Sequence, residues 1–430
     1  MPDIVIVGGG IVGLCTAYYL AANPAALPSN THVTLLENVS VACGASSRAA
    51  GFIGGGPAWH KEANQDLARL SWECFEQLAR QLDGPNTYGY RHCSVTGLRV
   101  GAGQDAMSSY RQLPTGTLPL AQKGEARQPW YRGDHVNLDT SGLAAQLDPA
   151  QFCSTLHAEV TRLGVRTIIA QPLRRRGKVI ETTEGDVAYD KLLIAAGPWS
   201  ADLCTLLNIP RVPVGSLPGH HIVLKPGTLP AGYDSVPAEA VMAGVGGSGS
   251  SDDLAATVTA GGQSNDLSAA ERQQGWTQTI EFFPRPDGTV YAAGENNVPN
   301  LIGDATIDGR ENRLPLTGRY VHRLVDQDLV QRMLRSSAAV SPALDVNNGA
   351  ELVKADLCYR PVTADTMPLI GEWQRDVFVC AGHGPWGITL APGSGVVMAE
   401  LIATDLTRDD VKLSADISGL SPHRFRAAKL

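Results

Sequence analysis

The sequence predicts an α/β fold in which two strand-rich insertions interrupt one parallel-sheet framework. A β-branched apolar run, Ile4 to Val7, leads straight into a glycine turn. Buried strand-like and helix-like runs return near residues 148–197 and again near 377–403. The stretches between them, from about 88 to 135 and from Val212 to about Ala343, favour short strands and turns instead. This alternation predicts a discontinuous second domain.

The glycine turn carries the first chemical signal. Gly8, Gly10 and Gly13 have G-x-G-x-x-G spacing within a strand-turn-helix-strand unit over residues 4–37. In this context Gly8 allows the tight turn, Gly10 admits a pyrophosphate and Gly13 lets the helix pack closely on the strand. Glu37 ends the second strand, where a carboxylate binds an adenosine ribose and repels a 2′-phosphate. The motif alone does not separate FAD from NAD.

Composition bounds the remaining possibilities. The 430 residues suggest two domains, and the net charge of −8 argues against a nucleic-acid surface. No apolar stretch approaches the ~18 residues needed to cross a membrane, and a first strand at Ile4 leaves no room for a signal peptide. The eight cysteines include no C-x-x-C pair, so reduced thiols are expected. We assign no metal site.

The elements follow in order. A loop of small residues with one arginine, 44–56, suits a large flat ligand, and residues 62–82 have helical spacing. Asp148 with Pro149 opens a second amphipathic helix. The remaining expected elements are a strand at 94–100, a strand at 165–169, a hairpin around Gly185, a strand at 191–197, strands at 220–224, 279–283 and 289–293, a mobile loop from Gly244 to Asp253, and a helix from Leu316 to Leu334.

A second glycine-rich turn lies near the C-terminus. A strand at Val377 to Ala381 is followed by Gly382 to Gly395, and a helix is expected from Val396 to Ala403. Its helix N-terminus would stabilise a developing negative charge. A dinucleotide that uses both turns must be long and carry an anion-forming ring, which favours FAD over NAD.

Five segments together resemble the D-amino-acid oxidase superfamily of FAD-dependent oxidoreductases, with the glycine oxidase and sarcosine oxidase groups as the nearest branches. They are the first glycine turn, the 44–56 loop, the Ile194 to Trp199 strand end, Arg360-Pro361 and Gly382-His383-Gly384. The resemblance implies an FAD-binding Rossmann-type domain with a discontinuous antiparallel-sheet substrate domain. It implies oxidation of an amine or amino acid at Cα–N by hydride transfer to flavin N5, with an imine product and peroxide formed from O2.

The expected domain bounds follow from this resemblance and the change of pattern along the chain. FAD-binding parts are expected at 1–87, 141–211 and 344–430, and substrate-domain parts at 88–140 and 212–343. The resemblance fades in the two insertions, so the substrate stays open.

The resemblance also assigns residues. Arg360 is expected to pair with a substrate carboxylate, with His383 as the second catalytic candidate; His60, His220, His221 and Arg285 are weaker candidates. The expected cofactor-binding residues are Gly8, Gly10, Gly13, Glu37, Ser46, Ser47, Arg48, Ala50, Gly51, Ala196, Gly197, Trp199, Cys358, Gly382, Gly384, Trp386, Gly387 and Ile388.

Three alternatives stay open at this point. Cys358, seven residues before Asp365, matches the spacing of a covalent flavin link in sarcosine oxidase-type enzymes, whereas the Arg-Pro branches bind FAD without one. The oxygen-activating lysine of sarcosine oxidase-type members aligns with Ala292, which leaves a dehydrogenase as an alternative to an oxidase. A non-catalytic FAD-binding assembly or trafficking factor is the third.

The last three residues, Ala428-Lys429-Leu430, resemble the S-K-L peroxisomal address with a small residue in place of serine. The expected location is therefore the peroxisome, with its import receptor as a partner, and otherwise the cytoplasm. The other expected partners are a small amine or amino acid and O2, with no nucleic acid and no membrane.

Overall fold

The computed structural model describes residues 2–23, 26–100, 129–139, 141–246, 277–296, 324–407 and 412–425. The C-terminal tripeptide Ala428-Lys429-Leu430 therefore lies outside the described residues, as do most of the expected Gly244 to Asp253 loop and the first part of the expected Leu316 to Leu334 helix.

The helices and strands of the described residues are numbered separately along the chain. The helices are α1 (Ile11–Ala22), α2 (Glu62–Gln81), α3 (Gly84–Thr87), α4 (Pro149–Arg162), α5 (Ser200–Leu206), α6 (Gln327–Val340) and α7 (Gly387–Thr407). The strands are β1 (Asp3–Val7), β2 (His32–Glu37), β3 (Phe52–Gly54), β4 (Arg91–His92), β5 (Ser94–Val100), β6 (Asp134–Asn137), β7 (Ala144–Gln146), β8 (Arg166–Ile169), β9 (Pro172–Arg176), β10 (Val179–Thr182), β11 (Gly185–Ala188), β12 (Lys191–Ile194), β13 (Gly215–Lys225), β14 (Glu239–Gly246), β15 (Thr277–Pro284), β16 (Val290–Asn296), β17 (Glu351–Val362), β18 (Leu369–Gln374) and β19 (Val377–Ala381).

The framework is a six-stranded sheet in the order β18-β19-β12-β1-β2-β8. Its strands are parallel except for β18, which is antiparallel to β19. Both faces are buried: Ile4 and Ile6 pack in the cluster that contains the helices α1, α2, α4 and α7, whereas Val5 and Val7 pack in the cluster that contains α5. Burial on both faces explains why β1 is apolar throughout rather than alternating. The α/β class expected from the sequence is confirmed.

The second sheet has seven strands in the order β17-β13-β16-β15-β14-β5-β6, antiparallel except for the parallel pair β14 and β5. One face packs against α6, with Ile222, Phe282 and Ala292 in a cluster with Val330 and Met333. The opposite face, which we call the inner face, carries Glu281, Phe283, Tyr291, Ala293, His221, Val223, Asp356, Cys358 and Arg360, as the strand register and the alternation of side chains require.

The helix α7 begins at Gly387, nine residues before the expected start at Val396. Its glycines allow neighbours to approach closely: a Cβ on Gly393 would lie 2.8 Å from the Leu67 carbonyl oxygen, and one on Gly395 would lie 2.7 Å from Cys15 Cβ. Together with the preceding turn, Gly384–Thr407 is long and apolar enough to span a membrane, with a mean hydropathy of 1.3, which corrects the expectation that no such stretch exists. Because 67% of its apolar window is buried within the fold, it is read most simply as a core helix.

Other local expectations had mixed outcomes. The Asp148 cap is confirmed, because its carboxylate accepts a hydrogen bond from the Gln151 N–H at 2.9 Å. The expected helix ending at Leu334 was misplaced: α6 begins after Asp326, whose carboxylate caps its first turn, and continues to Val340. Gly244 to Gly246 belong to β14 rather than to a loop. The domain bounds stay a prediction.

All eight cysteines are described and all are free, as the sequence predicted. The six buried ones are Cys15, Cys74, Cys153, Cys204, Cys358 and Cys380.

Candidate functional site

The first glycine turn joins β1 to α1, and its spacing follows from two close approaches. Gly8 has a φ of +119°, and a Cβ there would lie 2.3 Å from the Ala195 carbonyl oxygen. A Cβ on Gly13 would lie 2.0 Å from the Gly8 carbonyl oxygen. Both positions therefore require glycine, since no other residue leaves room for the neighbouring backbone.

The middle glycine is different, because its surroundings are open. A Cβ on Gly10 would meet only the Ser46 hydroxyl, at 3.2 Å, and Gly10 itself has no side chain with which to cap the helix that follows. Ser46 Oγ accepts a hydrogen bond from the Ile11 N–H at 2.9 Å, which holds the 46–48 turn over this helix terminus. An open glycine at a helix N-terminus fits a pyrophosphate.

Glu37 lies at the end of β2, beside this turn. Its carboxylate accepts hydrogen bonds from the Gly9 N–H at 2.8 Å and from the Val39 N–H at 3.0 Å. These two contacts fix the carboxylate at the edge where the Rossmann-type arrangement places a ribose.

In the 46–51 segment, three residues expected to bind the cofactor are in contact with other parts of the protein. Ser47 Oγ donates to the Ala42 carbonyl, and a Cβ on Gly51, whose φ is +86°, would lie 1.9 Å from the Leu147 carbonyl oxygen. Ala50 packs with the apolar residues of the inner face. These contacts give the three residues roles in local structure and packing, and their assignment to the cofactor stays a prediction.

Two further turns face open space. Gly197 and Gly384 have φ values of +55° and +57°, and a Cβ added to either would have no atom within 4 Å. A Cβ on Gly387 would be 3.9 Å from its nearest neighbour. The strand β17 packs against both turns, 197–199 and 384–386. Three glycine turns with open sides around one region fit a long dinucleotide such as FAD, whose site they would form with Ala196 and Trp199.

Gly382 and the residues after it have mixed roles. Gly382 has a φ of +84°, and a Cβ there would lie 2.7 Å from Thr363 Cγ2, so packing alone requires glycine. The Ile388 side chain is in the core beneath the first sheet, so only its backbone is available to a ligand.

His383, the second catalytic candidate, has a side chain that is engaged within the fold, and its catalytic assignment stays a prediction. Its ring is buried and its Nε2 lies 3.0 Å from Ser394 Oγ, within α7. Burial lowers its pKa to about 4, so the imidazole is neutral at neutral pH. A buried neutral ring bonded to its own helix holds the turn in place and is poorly placed to contact a substrate.

The inner face brings together charged residues from the edge strand β17. Asp356, Cys358 and Arg360 alternate along it and so share this face. Asp356 is 2% exposed; it pairs with Arg48 Nε at 3.1 Å and Lys354 Nζ at 2.8 Å. Burial alone would raise the pKa of Asp356, but the Lys354 bond, the Leu357 N–H and the Arg48 charge outweigh it and lower that pKa.

Arg48 therefore joins the two sheets. Its guanidinium donates to the Cys43 and Gly44 carbonyls as well as to Asp356, and its own carbonyl accepts a hydrogen bond from the Tyr291 hydroxyl at 3.0 Å. This anchoring places the 46–48 turn against the inner face.

Tyr291 is the centre of a second group on this face. The His221 ring stacks on it, with centroids 4.7 Å apart, and Arg285 Cζ lies 5.1 Å from its centroid. Phe283 and Phe52 continue this aromatic surface toward the second glycine turn, where the ring centroids of Trp59 and Trp386 are 6.4 Å apart. Apolar rings beside guanidinium groups suit an organic substrate that carries negative charge.

The thiol of Cys358 is buried, and burial raises its pKa, although Arg360 and Arg48 oppose that rise. Asp365, the aspartate of the covalent-link spacing, is bonded to Arg424 and caps the turn before Met367. Asp365 thus has a structural role that involves no flavin, and the covalent link through Cys358 stays open.

The remaining candidates are placed as follows. His220 lies on the opposite face, where its Nε2 accepts the Asp326 N–H at 3.0 Å. His60 Nε2 lies 2.6 Å from the Gly54 carbonyl oxygen, and its ring meets the Trp386 ring edge-on at 4.7 Å. Ala292, the position aligned with the oxygen-activating lysine, faces α6, and the choice between oxidase and dehydrogenase stays open.

Three inner-face residues were not predicted from the sequence. Asp356 could have been found, because it precedes Cys358 and Arg360 by two and four residues in one strand. Glu281 and Tyr291 left no comparable signal, since their place depends on how distant strands pair.

Comparisons with known proteins agree with this geometry. A family model described as "FAD dependent oxidoreductase" matches residues 3–401. A protein of Schizosaccharomyces pombe, named provisionally as an oxidoreductase, is 26% identical over 454 residues, which cover 98% of this chain and 97% of that protein. The glycine oxidase of Geobacillus kaustophilus is 23% identical over 95% of both chains.

Solved structures have the same fold. A glycine oxidase from Geobacillus kaustophilus superposes with a TM-score of 0.66 at 19% identity, covering 99% of each chain. An L-proline dehydrogenase from P. horikoshii gives a TM-score of 0.67 at 15% identity, covering 100% of this chain and 99% of the other.

Proposed function

The chain belongs to the family of FAD-dependent oxidoreductases, and from this premise we propose that it oxidises the Cα–N bond of an amino acid or related amine. The observation that carries the proposal is the position of Arg360 on the inner face, in a strand that packs against the two open glycine turns. FAD held there would supply the hydride acceptor for this oxidation, and water would hydrolyse the imine product.

The residues of this chain supply binding and orientation. The Arg360 guanidinium forms two parallel hydrogen bonds to the substrate α-carboxylate, which fixes the plane of that group and hence the direction of the Cα–H bond. The aromatic surface formed by Phe52, Phe283 and Tyr291 excludes water from one side of the substrate. No proton has to pass through His383, whose ring is engaged by Ser394.

The experiment that tests this proposal is an anaerobic screen of D-, L- and N-methyl amino acids on the FAD-loaded protein, followed by flavin absorbance. Loss of the oxidised flavin bands with one substrate class supports the proposal. If no amine or amino acid bleaches the flavin, the reading as a non-catalytic FAD-binding assembly or trafficking factor replaces it.

We further propose O2 as the electron acceptor, so that each turnover yields one hydrogen peroxide. The test is to reduce the flavin with substrate and then admit air. Rapid reoxidation with stoichiometric peroxide supports an oxidase, whereas slow reoxidation that an artificial electron carrier accelerates favours a dehydrogenase.

For the cofactor we propose non-covalent FAD. Cys358 lies on the inner face, which would suit a covalent link, but burial raises its pKa and disfavours the thiolate that would attack the flavin. Acid denaturation followed by filtration tests the point: free FAD in the filtrate agrees with the proposal. Yellow colour that stays with the wild-type protein and disappears in Cys358→Ala would contradict it.

For location we propose the peroxisome, through recognition of Ala428-Lys429-Leu430 by the import receptor. A fluorescent protein fused to the N-terminus should form puncta in a eukaryotic cell. The same fusion should become diffuse when Leu430 is deleted, and a diffuse wild-type signal would refute the proposal.

A further inference from the structure

The inner face carries a second guanidinium that the proposed function leaves without a role. Arg285 follows β15, and its Cζ lies 5.1 Å from the centroid of the Tyr291 ring. Its Nε is buried, and among the described residues that Nε has no hydrogen-bond partner and Arg285 forms no ion pair. A desolvated guanidinium N–H without an acceptor is costly, so a missing partner is indicated.

His221 presents a second unmatched nitrogen beside the same ring. It is 2% exposed, its ring is stacked on Tyr291 at an interplanar angle of 19°, and its Nδ1 has no hydrogen-bond partner among the described residues. Burial lowers its pKa to about 3, although Asp356 opposes that effect. The imidazole is therefore neutral, and in one of its two tautomers Nδ1 carries a hydrogen that it can donate.

The inner face has more positive than negative charge, which favours the binding of anions. Asp356 is already engaged by Arg48 and Lys354. Burial raises the pKa of Glu281, although Arg360 opposes this, so its neutral form is favoured relative to a free carboxyl group. The described side chains of this face thus carry an excess of positive charge. The charges of Arg285 and Arg360 both act to lower the pKa values of Tyr291 and His221, so both guanidinium groups lie near these two rings.

We propose that Arg285, with His221 beside it, binds the second carboxylate of a dicarboxylic amino acid or related dicarboxylic amine. The inference rests on the proposed function in one respect: the α-carboxylate of the same molecule lies on Arg360. The Arg285 Nε–H and one terminal N–H supply two donors for the distal carboxylate, and the Tyr291 ring holds the guanidinium in place.

Anion binding to the FAD-loaded protein tests the inference without any need for turnover. Glutarate, with two carboxylates, and valerate, with one on a chain of the same length, are titrated while the flavin absorbance is followed, with thermal shift as a second readout. Wild type should bind glutarate at least roughly tenfold more tightly than valerate. Arg285→Gln should weaken glutarate roughly tenfold to a hundredfold and leave valerate within about twofold.

Arg211→Gln is the matched control, because Arg211 is an exposed arginine paired with Asp202; it should keep the wild-type discrimination. Arg285→Lys keeps the charge but loses the planar donor pair, so glutarate should bind at least about threefold more weakly. The lysine variant serves as the comparison if Arg285→Gln loses its fold or its FAD. Inorganic phosphate is titrated as well, since tighter binding of phosphate than of glutarate would indicate a different anion.

Equal affinity for glutarate and valerate in wild type would overturn the inference, as would unchanged discrimination in both Arg285 variants. The outcome is separable from that of the proposed function. A glutarate preference that depends on Arg285, in a protein whose flavin no amino acid bleaches, supports the subsite and removes the oxidation. Oxidation of monocarboxylic amino acids without any preference for glutarate supports the proposed oxidation and removes the subsite.

Discussion

Replacing Asp356 by asparagine should destabilise the protein by about 3 kcal/mol, because it removes one partner of a buried ion pair and leaves the other uncompensated. The Asp356 carboxylate is 2% exposed and the Arg48 side chain 15% exposed, so water replaces little of what is lost. The amide can still accept one hydrogen bond but cannot balance the guanidinium charge. The free energy of unfolding, from urea titration at pH 7, measures the change.

Lys354→Gln provides the matched control. It removes the other cation bonded to Asp356, but the Lys354 side chain is 52% exposed, so the loss of stability should stay below about 1 kcal/mol.

The contribution of Asp356 to stability depends on pH with a definite sign. The pKa of Asp356 is lowered in the folded state, so its stabilisation is complete above the unfolded-state pKa near 3.9 and is lost as the pH falls through the folded-state value.

The two variants should also differ in cofactor retention. Asp356 holds Arg48, and Arg48 holds the carbonyls of Cys43 and Gly44 beside the first glycine turn, so Asp356→Asn should weaken FAD binding and Lys354→Gln should not. Equal effects of the two substitutions on stability, or a loss below about 1 kcal/mol for Asp356→Asn, would refute the reasoning from burial.

Two other substitution experiments follow from the geometry. Gly13→Ala should lower the free energy of unfolding by about 3 kcal/mol or more, because its Cβ would lie 2.0 Å from the Gly8 carbonyl oxygen. Gly10→Ala, whose nearest contact is Ser46 Oγ at 3.2 Å, should stay within about 1 kcal/mol of wild-type stability and still lose FAD. Denaturant titration measures the stability of both variants, and the FAD-to-protein ratio after gel filtration measures the bound cofactor. The free energy of unfolding should fall by about 3 kcal/mol between pH 6.5 and pH 4 because of His383, whose folded-state pKa is about 4, since the unfolded state binds more protons in that range. His383→Asn should lack this contribution to the loss. A pH profile of stability identical to that of wild type would contradict the view that His383 is buried as a neutral ring.

The parts of the site that could be predicted from the sequence are those whose chemistry is local. The first glycine turn is contained in a single strand-turn-helix unit, and the roles of Gly8 and Gly13 follow from backbone contacts within it or with the adjacent strand. The Asp148 cap is equally local.

The direction of a side chain is harder to predict from the sequence than its element. His383 lies in the second glycine turn, where its ring is bonded to Ser394 of the helix α7, and sequence spacing contains no information about that choice. Ala292 likewise faces α6 rather than the inner face, and in a strand a shift of one residue reverses the side.

The rest of the inner face depends on contacts between distant parts of the chain. The Arg48 and Asp356 pair spans 308 positions, and the group formed by His221, Tyr291 and Arg285 requires the pairing of β13 with β16. No local pattern specifies these contacts, whereas the alternation of Asp356, Cys358 and Arg360 within β17 does predict a shared face.

The most direct test of the central claim is the anaerobic rate of flavin bleaching in wild type and Arg360→Ala, measured with an amino acid that the screen identifies and with the matching amine that lacks its carboxylate. Loss of a charge-assisted pair should raise the concentration needed for half-maximal bleaching by the amino acid roughly tenfold to a hundredfold, with little change for the amine. Equal loss with both substrates, or no loss with either, would contradict the assignment of Arg360 as the carboxylate-binding residue of an FAD-dependent amino-acid oxidoreductase.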